Sequence, residues 1–385
     1  MHVEERKLTT IQFAEPRPSL IQRLSAQLEA SAKEVLILPA VVLVLVLSIF
    51  PLLVSLYLSL SNFKFVKGGF QVNFVGFKNF EKLLSGSEQR HFLGKLGELT
   101  PLGIILLLVF VGLMVYLLFR YVTSPRFRIF GFVMRVLTIL IASSLAFLTV
   151  STLSGTGLPG SLVVTLIFVF GGVTFQYLIG LGLAMLLTQN LPGKRFFRII
   201  FLLPMMITPV GIGFLFRMMT DTGKGPIAPV WIALGLSGFS WVDTPGGARL
   251  GVMIGDIWQW TPFMFIILLA ALEGVSRETI EAAMVDGTNR VQLFRYIVLP
   301  EIIPVSTTVI LIRLIEAFKI IDMPQVLTGG GPGTATESIT LYAYNNWRSL
   351  DLGLSSALAY LLLFVVTFVA MVFVNFVRRR ILEWT

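Results

Sequence analysis

The chain has no cysteine and only two histidines among its 385 residues. Disulfides, thiolate metal sites and cysteine nucleophiles are therefore excluded. His2 and His91 lie far apart in polar segments and are expected to be ordinary solvated side chains, with no metal role. Charge is scarce as well: 13% of residues are charged and 55% are hydrophobic, about half the charged fraction of a soluble domain. At a mean hydropathy of +0.85 the length must be divided into membrane spans rather than soluble cores. A phosphate loop of the form Gly-x-x-x-x-Gly-Lys-Ser/Thr is missing, and the Gly329–Gly333 run, with no lysine after it, reads as a turn. The net charge of +9 would suggest nucleic acid in a soluble protein. Here most basic residues flank apolar runs, so membrane anchoring explains them and no nucleic-acid partner is expected.

A spanning helix needs about 20 mainly apolar residues. The expected spans are 35–60, 101–119, 129–153, 161–188, 199–216, 250–272, 302–321 and 353–376. The cluster Ser154–Gly160 breaks an uncharged run that is too long for one helix, and Pro204 and Pro209 interrupt the fifth span. The fold class is thus an all-α integral membrane protein of about eight transmembrane helices. Residues 1–34 form an N-terminal tail in which Leu20, Ile21, Leu24 and Leu28 share a helical face. The tail ends in an interfacial helix or is simply soluble. The first span reads as uncleaved.

Eight spans place both termini on one side. With that side cytoplasmic, the inner segments carry Arg120, Arg126 and Arg128, then Lys194, Arg195 and Arg198, and finally Arg378–Arg380 at the C-terminus, 378–385. The turn 154–160, expected outside, has no basic residue, as the positive-inside rule demands of short loops. The outer loop 61–100 runs against the rule, with six lysines and arginines.

Between the sixth and seventh spans lies a polar segment, 273–300, with Glu278, Glu281, Asp286, Arg290 and Arg295. Its pattern predicts a helix, a turn at Gly287 and a second helix stopped before Pro300. A helix-turn-helix between spans presents a knob to a soluble partner, and on this topology it faces the cytoplasm. Glu281, Ala282, Ala283, Gly287, Ile297, Leu299 and Pro300 match in type and spacing the EAA coupling loop of ABC importer permeases, which this segment resembles. Phe74–Phe80, Arg198–Pro209, Asp256–Pro262 and Val326–Gly333 resemble further signatures of the carbohydrate-uptake class. The chain is therefore similar to type I ABC importer permeases of the binding-protein-dependent kind, and to the larger of their two permease types.

That resemblance implies a heterodimer with a second permease subunit, two ATPase subunits inside and a substrate-binding protein outside. It implies a sugar substrate, a location in the inner (cytoplasmic) membrane among lipid, and no catalysis or cofactor in this chain. ATP and Mg would bind the partner ATPase subunits. Contacts to the ATPase fall to Glu281, Ala282, Ala283, Asp286, Gly287, Ile297, Leu299 and Pro300. A core of this class has about six spans, so the pair in 101–153 is extra to the core permease domain 161–377.

Arg313, Glu316, Lys319 and Asp322 recur every three residues with alternating sign, so they are expected to descend one helical face as mutual partners. They form either a polar wall of the translocation path or a structural ladder between helices. Asp256, Gln259, Trp260 and Phe263 can share a helix face and offer the rings and hydrogen-bonding groups a sugar needs. Trp260 also reads as an interfacial anchor, while Met205, Met206 and the phenylalanines read as packing. An ion-coupled secondary transporter is the alternative that would use the intramembrane charges, but it predicts inverted repeats, which are not seen. A membrane enzyme would need a nucleophile or metal cluster, for which the residue inventory is poor.

Overall fold

The computed structural model describes residues 36–384 apart from 124–127, 190, 237 and 239, so the expected interfacial helix in the tail lies outside the described residues. The chain divides into two units, Met1–Tyr57 and Leu58–Thr385. The described residues of the first unit belong to a spanning helix, α1 (Leu36–Ser59), which is uncharged throughout and ends in the second unit.

Beyond α1 come a hairpin, β1 (Ser61–Val66) and β2 (Gly69–Phe74), and two short helices, α2 (Lys78–Leu84) and α3 (Gln89–Phe92). Next are β3 (Gly94–Lys95) and the long helices α4 (Pro101–Val122) and α5 (Ile129–Thr152). Strand β4 (Leu158–Pro159) follows and pairs antiparallel with β3, Gly94 opposite Pro159 and Lys95 opposite Leu158. The expected extra pair is therefore α4 and α5, which leave and rejoin the rest of the fold through one two-stranded clamp. Pro101 sits in the first turn of α4, where its missing N–H costs nothing, and Thr100 caps the helix by accepting from Gly103 N. At the other end the Arg135 guanidinium lies 3.4 Å from the Tyr121 ring centre and ties the two helices together.

Helix α6 (Ser161–Leu187) is apolar on every face, as a membrane span with one side in the bundle and the other toward lipid should be. Its main neighbours are α10 (Pro245–Glu273) and α12 (Arg290–Ala317), and α14 (Leu352–Trp384) packs in turn on α12. Between these run α7 (Lys194–Met206), α8 (Pro209–Thr220), α9 (Ala228–Ala233), α11 (Arg277–Val285) and α13 (Ile339–Arg348). Buried Val169, Met264, Phe265, Leu268, Val309 and Leu358 form the core of this bundle. In lipid such packing is held by van der Waals contact, which favours small residues where helices meet. At Gly180 a Cβ would come within 2.8 Å of Met264 Cβ, so only glycine lets α6 and α10 approach this closely.

Among the described residues seven helices are long and apolar enough to span a membrane, or eight if the bent pair α7 and α8 counts as one. The fifth span is broken at Pro209, as expected: two helices meet there at 98°, because proline disfavours helical backbone at the residue before it. Two expectations need correction. Pro204 lies inside α7 and does not interrupt it. The second helix of the polar segment does not stop before Pro300; α12 runs unbroken from Arg290 to Ala317. A π-turn at Phe294–Val298, in which Leu299 N donates to Phe294 O, widens the backbone where proline would otherwise collide with the preceding turn. Met205 and Met206 are exposed in this chain rather than packed.

Candidate functional site

The six residues expected on the substrate path, Asp256, Gln259, Trp260, Arg313, Glu316 and Lys319, line one cleft of about 170 Å³, with Pro209 and residues 320–323 completing its wall. A larger open concavity, about 490 Å³, runs along α6 past Ile179, Leu183 and Gln189, but no set of polar groups converges on it.

At the floor of the cleft three helices meet through polar side chains. Arg313 Nη2 of α12 donates to Asp256 Oδ2 and Oδ1 of α10 at 2.9 and 3.1 Å, and Arg313 Nε donates to Gln176 Oε1 of α6 at 2.8 Å. Gln176 Nε2 closes the ring by donating to Asp256 Oδ2 at 2.8 Å. The Arg313 guanidinium lies 4.7 Å from the Trp260 ring centre, an attractive cation–π distance. Arg313 and Asp256 are 2% and 6% exposed, and Gln176 is fully buried. Two charges at this depth persist because each satisfies the other and the amide takes the remaining valences.

The charge ladder is thereby corrected. α12 ends at Ala317, so Lys319 and Asp322 lie beyond the helix and cannot continue its face. The buried Arg313 takes a buried anion, Asp256, while the exposed Glu316 pairs with Lys319 at 2.8 Å. Sequence reasoning overlooked Gln176, although it is the only side-chain amide between Ser161 and Leu187, and a lone amide in an apolar span needs a polar partner.

The polar segment 273–300 forms a separate feature. α11 opens after Ser276, and Gly287 turns the chain with φ +83°, left-handed backbone that costs glycine little and β-branched residues much. Thr288 Oγ1 and N both donate to Ala283 O, and Asn289 and Gln292 form a reciprocal cap that starts α12. Glu281, Ala282, Asp286 and Gly287 are exposed, Ala283 is buried, and Ile297, Leu299 and Pro300 are half-buried. Beside them Met284, Val285, Val291 and Tyr296 are 57%, 87%, 74% and 66% exposed.

A third cluster corrects the expectation for His91. Its ring stacks on Tyr342 at 3.9 Å and Nε2 contacts the buried Glu337 carboxylate. Asn345 donates to Glu337, and the Tyr342 hydroxyl donates to Glu88 at 2.7 Å. Burial, and next Glu88, push the Tyr342 phenol above its usual pKa.

Residues 176–383 match the model of the binding-protein-dependent transport system inner membrane component. The chain is 34% identical over 217 residues to the trehalose/maltose transport system permease protein MalF of Thermococcus litoralis, covering 56% of this chain and 74% of the relative. It is 33% identical over 223 residues to the sulfoquinovosyl glycerol transport system permease protein SmoG of Agrobacterium fabrum, covering 57% and 70%. Among solved structures, a bacterial ABC transporter involved in import of the acidic polysaccharide alginate aligns with a TM-score of 0.52 at 21% identity, covering 72% of this chain and 92% of that one. That likeness supports the fold. The family match takes in α10, the polar segment and the whole of α12, and on it this chain belongs to the binding-protein-dependent transport system inner membrane components, the permeases of ABC importers.

Proposed function

We propose that this chain is the permease subunit of an ATP-driven sugar or oligosaccharide importer. It forms half of the translocation path beside a second permease and takes its motion from two ATPase subunits at the loop 273–300. ATP and Mg belong to those subunits, a binding protein delivers the sugar from outside, and this chain does no covalent chemistry. The sugar class is supported by the relatives, named for trehalose/maltose and sulfoquinovosyl glycerol. Within the cleft Gln259, Trp260 and the exposed Glu316–Lys319 pair are the groups offered to a sugar, since Asp256 and Arg313 are buried and engaged with each other and with Gln176.

The observation that carries the coupling role is the exposed apolar group Met284, Val285, Val291 and Tyr296 on a segment too charged for lipid. Apolar side chains gathered at a turn in water ask for a soluble partner's surface. Ala282 keeps that surface free of bulk, and Glu281 offers it a charged acceptor. Gly287→Val, which costs about 1–2 kcal/mol in left-handed backbone, should leave the spans folded while weakening ATPase docking. Uptake and substrate-stimulated ATP hydrolysis should fall together, with the isolated ATPase unaffected. If Gly287→Val combined with Glu281→Lys left both assembly and uptake unchanged, the loop would not be the coupling element.

A further inference from the structure

The six basic residues of the loop 61–100 have no place in the reading above, and the hairpin that carries Lys64 and Lys67 suggests one. Side chains along a strand alternate between two faces. In the β1–β2 register Ser61 faces Phe74, Phe63 faces Val72, and Lys64 faces Gln71. One face therefore carries Phe63, Phe70, Val72 and Phe74, and the other Asn62, Lys64, Gln71 and Asn73. Phe63 stacks on Phe70 at 5.5 Å. Phe70, Phe74 and the following Phe77 are 67%, 65% and 75% exposed.

Two landmarks fix the level of this hairpin. Leu60 alone separates β1 from the end of the first span, and Val75 N returns to Leu60 O at 2.8 Å. Asn79 Nδ2 bonds both Ser59 O and Ser61 O at 2.9 Å. At the same place Gly353, in the first turn of the last span, lies so close that a Cβ would collide with Ser61 O. The base of the hairpin is thus at the ends of two spans. Six residues of strand reach about 20 Å, so from that base the hairpin stays at headgroup depth by lying along the surface rather than standing off it.

We propose that the hairpin Ser61–Phe74 is a lipid-binding element. Its aromatic face lies in the headgroup–acyl boundary of the leaflet in which the first span ends, and the exposed Lys64, Lys67, Lys78 and Lys82 contact lipid phosphates. Phenylalanine rings on one face of an amphipathic element enter that boundary because burying their apolar surface is favourable while the polar face stays in water, and lysines near a membrane surface are drawn to its anionic groups. The local excess of basic residues then reports lipid contact on this side rather than a failure of topology.

The test uses the absence of native cysteine. In the complete transporter, reconstituted in nanodiscs of phosphatidylethanolamine and phosphatidylglycerol, Phe70→Cys and Gln71→Cys each receive a nitroxide label. The oxygen-to-nickel-chelate accessibility ratio is then measured, without and with the substrate-binding protein. The expected result is a lipid-like ratio at position 70 and a water-like ratio at position 71, with or without that protein. If Phe70→Cys does not insert, Phe74→Cys and Asn73→Cys make the same comparison. A water-like ratio on both faces would overturn the proposal. Protection of the aromatic face only on adding the binding protein would overturn it equally, and would make the face a protein-docking surface.

Discussion

Removing Arg313 should be among the most damaging single changes available in this chain. Arg313→Ala leaves the Asp256 carboxylate buried with one amide donor, Gln176 Nε2, in place of an amide and a guanidinium. Breaking a buried ion pair from one side costs about 3–5 kcal/mol, or roughly two to nearly four powers of ten in the unfolding equilibrium at about 1.36 kcal/mol per decade. The double variant Asp256→Leu with Arg313→Met removes both charges and should recover most of that loss, because the penalty comes from the stranded charge rather than from the missing attraction. The assay is reversible unfolding in mixed micelles for the two single variants and the double, with sugar uptake measured alongside. Recovery of both stability and uptake in the double would make the trio a fastening between α6, α10 and α12. Recovered stability without uptake would give Asp256 or Arg313 a part in transport. A single-variant cost below about 1 kcal/mol, the range of exposed pairs, would refute the buried arrangement itself.

Topology can be read by impermeant thiol labelling: single cysteines at Ser87 and Thr334 should react from outside and one at Thr288 should not, and the reverse pattern would turn the coupling loop away from ATP. Excising α4 and α5 and joining the chain across the β3–β4 clamp, where Lys95 and Leu158 are paired, should leave uptake coupled to ATP if the protein inserts; normal assembly with no uptake would show the pair to be functional. Tyr342 supplies a pH test. Its phenol is raised by burial and then by Glu88, so it holds its proton more tightly folded than unfolded, and its stabilising contribution is complete below the ordinary phenol value of about 10 and falls as pH rises beyond it. Thermal unfolding followed upward from that pH should show a loss of stability that Tyr342→Phe lacks.

Most spans could be read from the chain because about 20 apolar residues in a row admit few other fates. Gly287 at its turn was legible for a local reason, since the flanking charges, the glycine and the caps all act within a few residues. The misreadings share a different cause. Spacing by three points Arg313 to partners at neighbouring turns of its own helix, yet Asp256 and Gln176 come from helices far away in sequence. Helical spacing also presumed a helix as far as Asp322, which α12 does not supply. Pro300 reads as a stop because an isolated proline ends a helix more readily than it bends one, and a π-turn that absorbs it leaves no clear mark in composition. His91 looked solvated because Glu337 and Tyr342, which surround it, lie some two hundred and fifty residues on.

The clamp between β3 and β4 also bears on how such a chain can grow. A chain that crosses the bilayer and comes straight back returns on the side from which it departed, so the parity of the insertion is even and every later segment keeps its sidedness. A single added helix would have inverted all that follows, carrying the loop 273–300 and its apolar tip to the opposite compartment. With its two ends already paired, the excursion through α4 and α5 also imposes little new separation on the flanks it interrupts. Away from Leu145 and Leu148, which pack on the core, sequence change within those helices leaves the bundle untouched, and a permease of this kind can alter membrane-facing surface there without re-orienting the rest of the molecule.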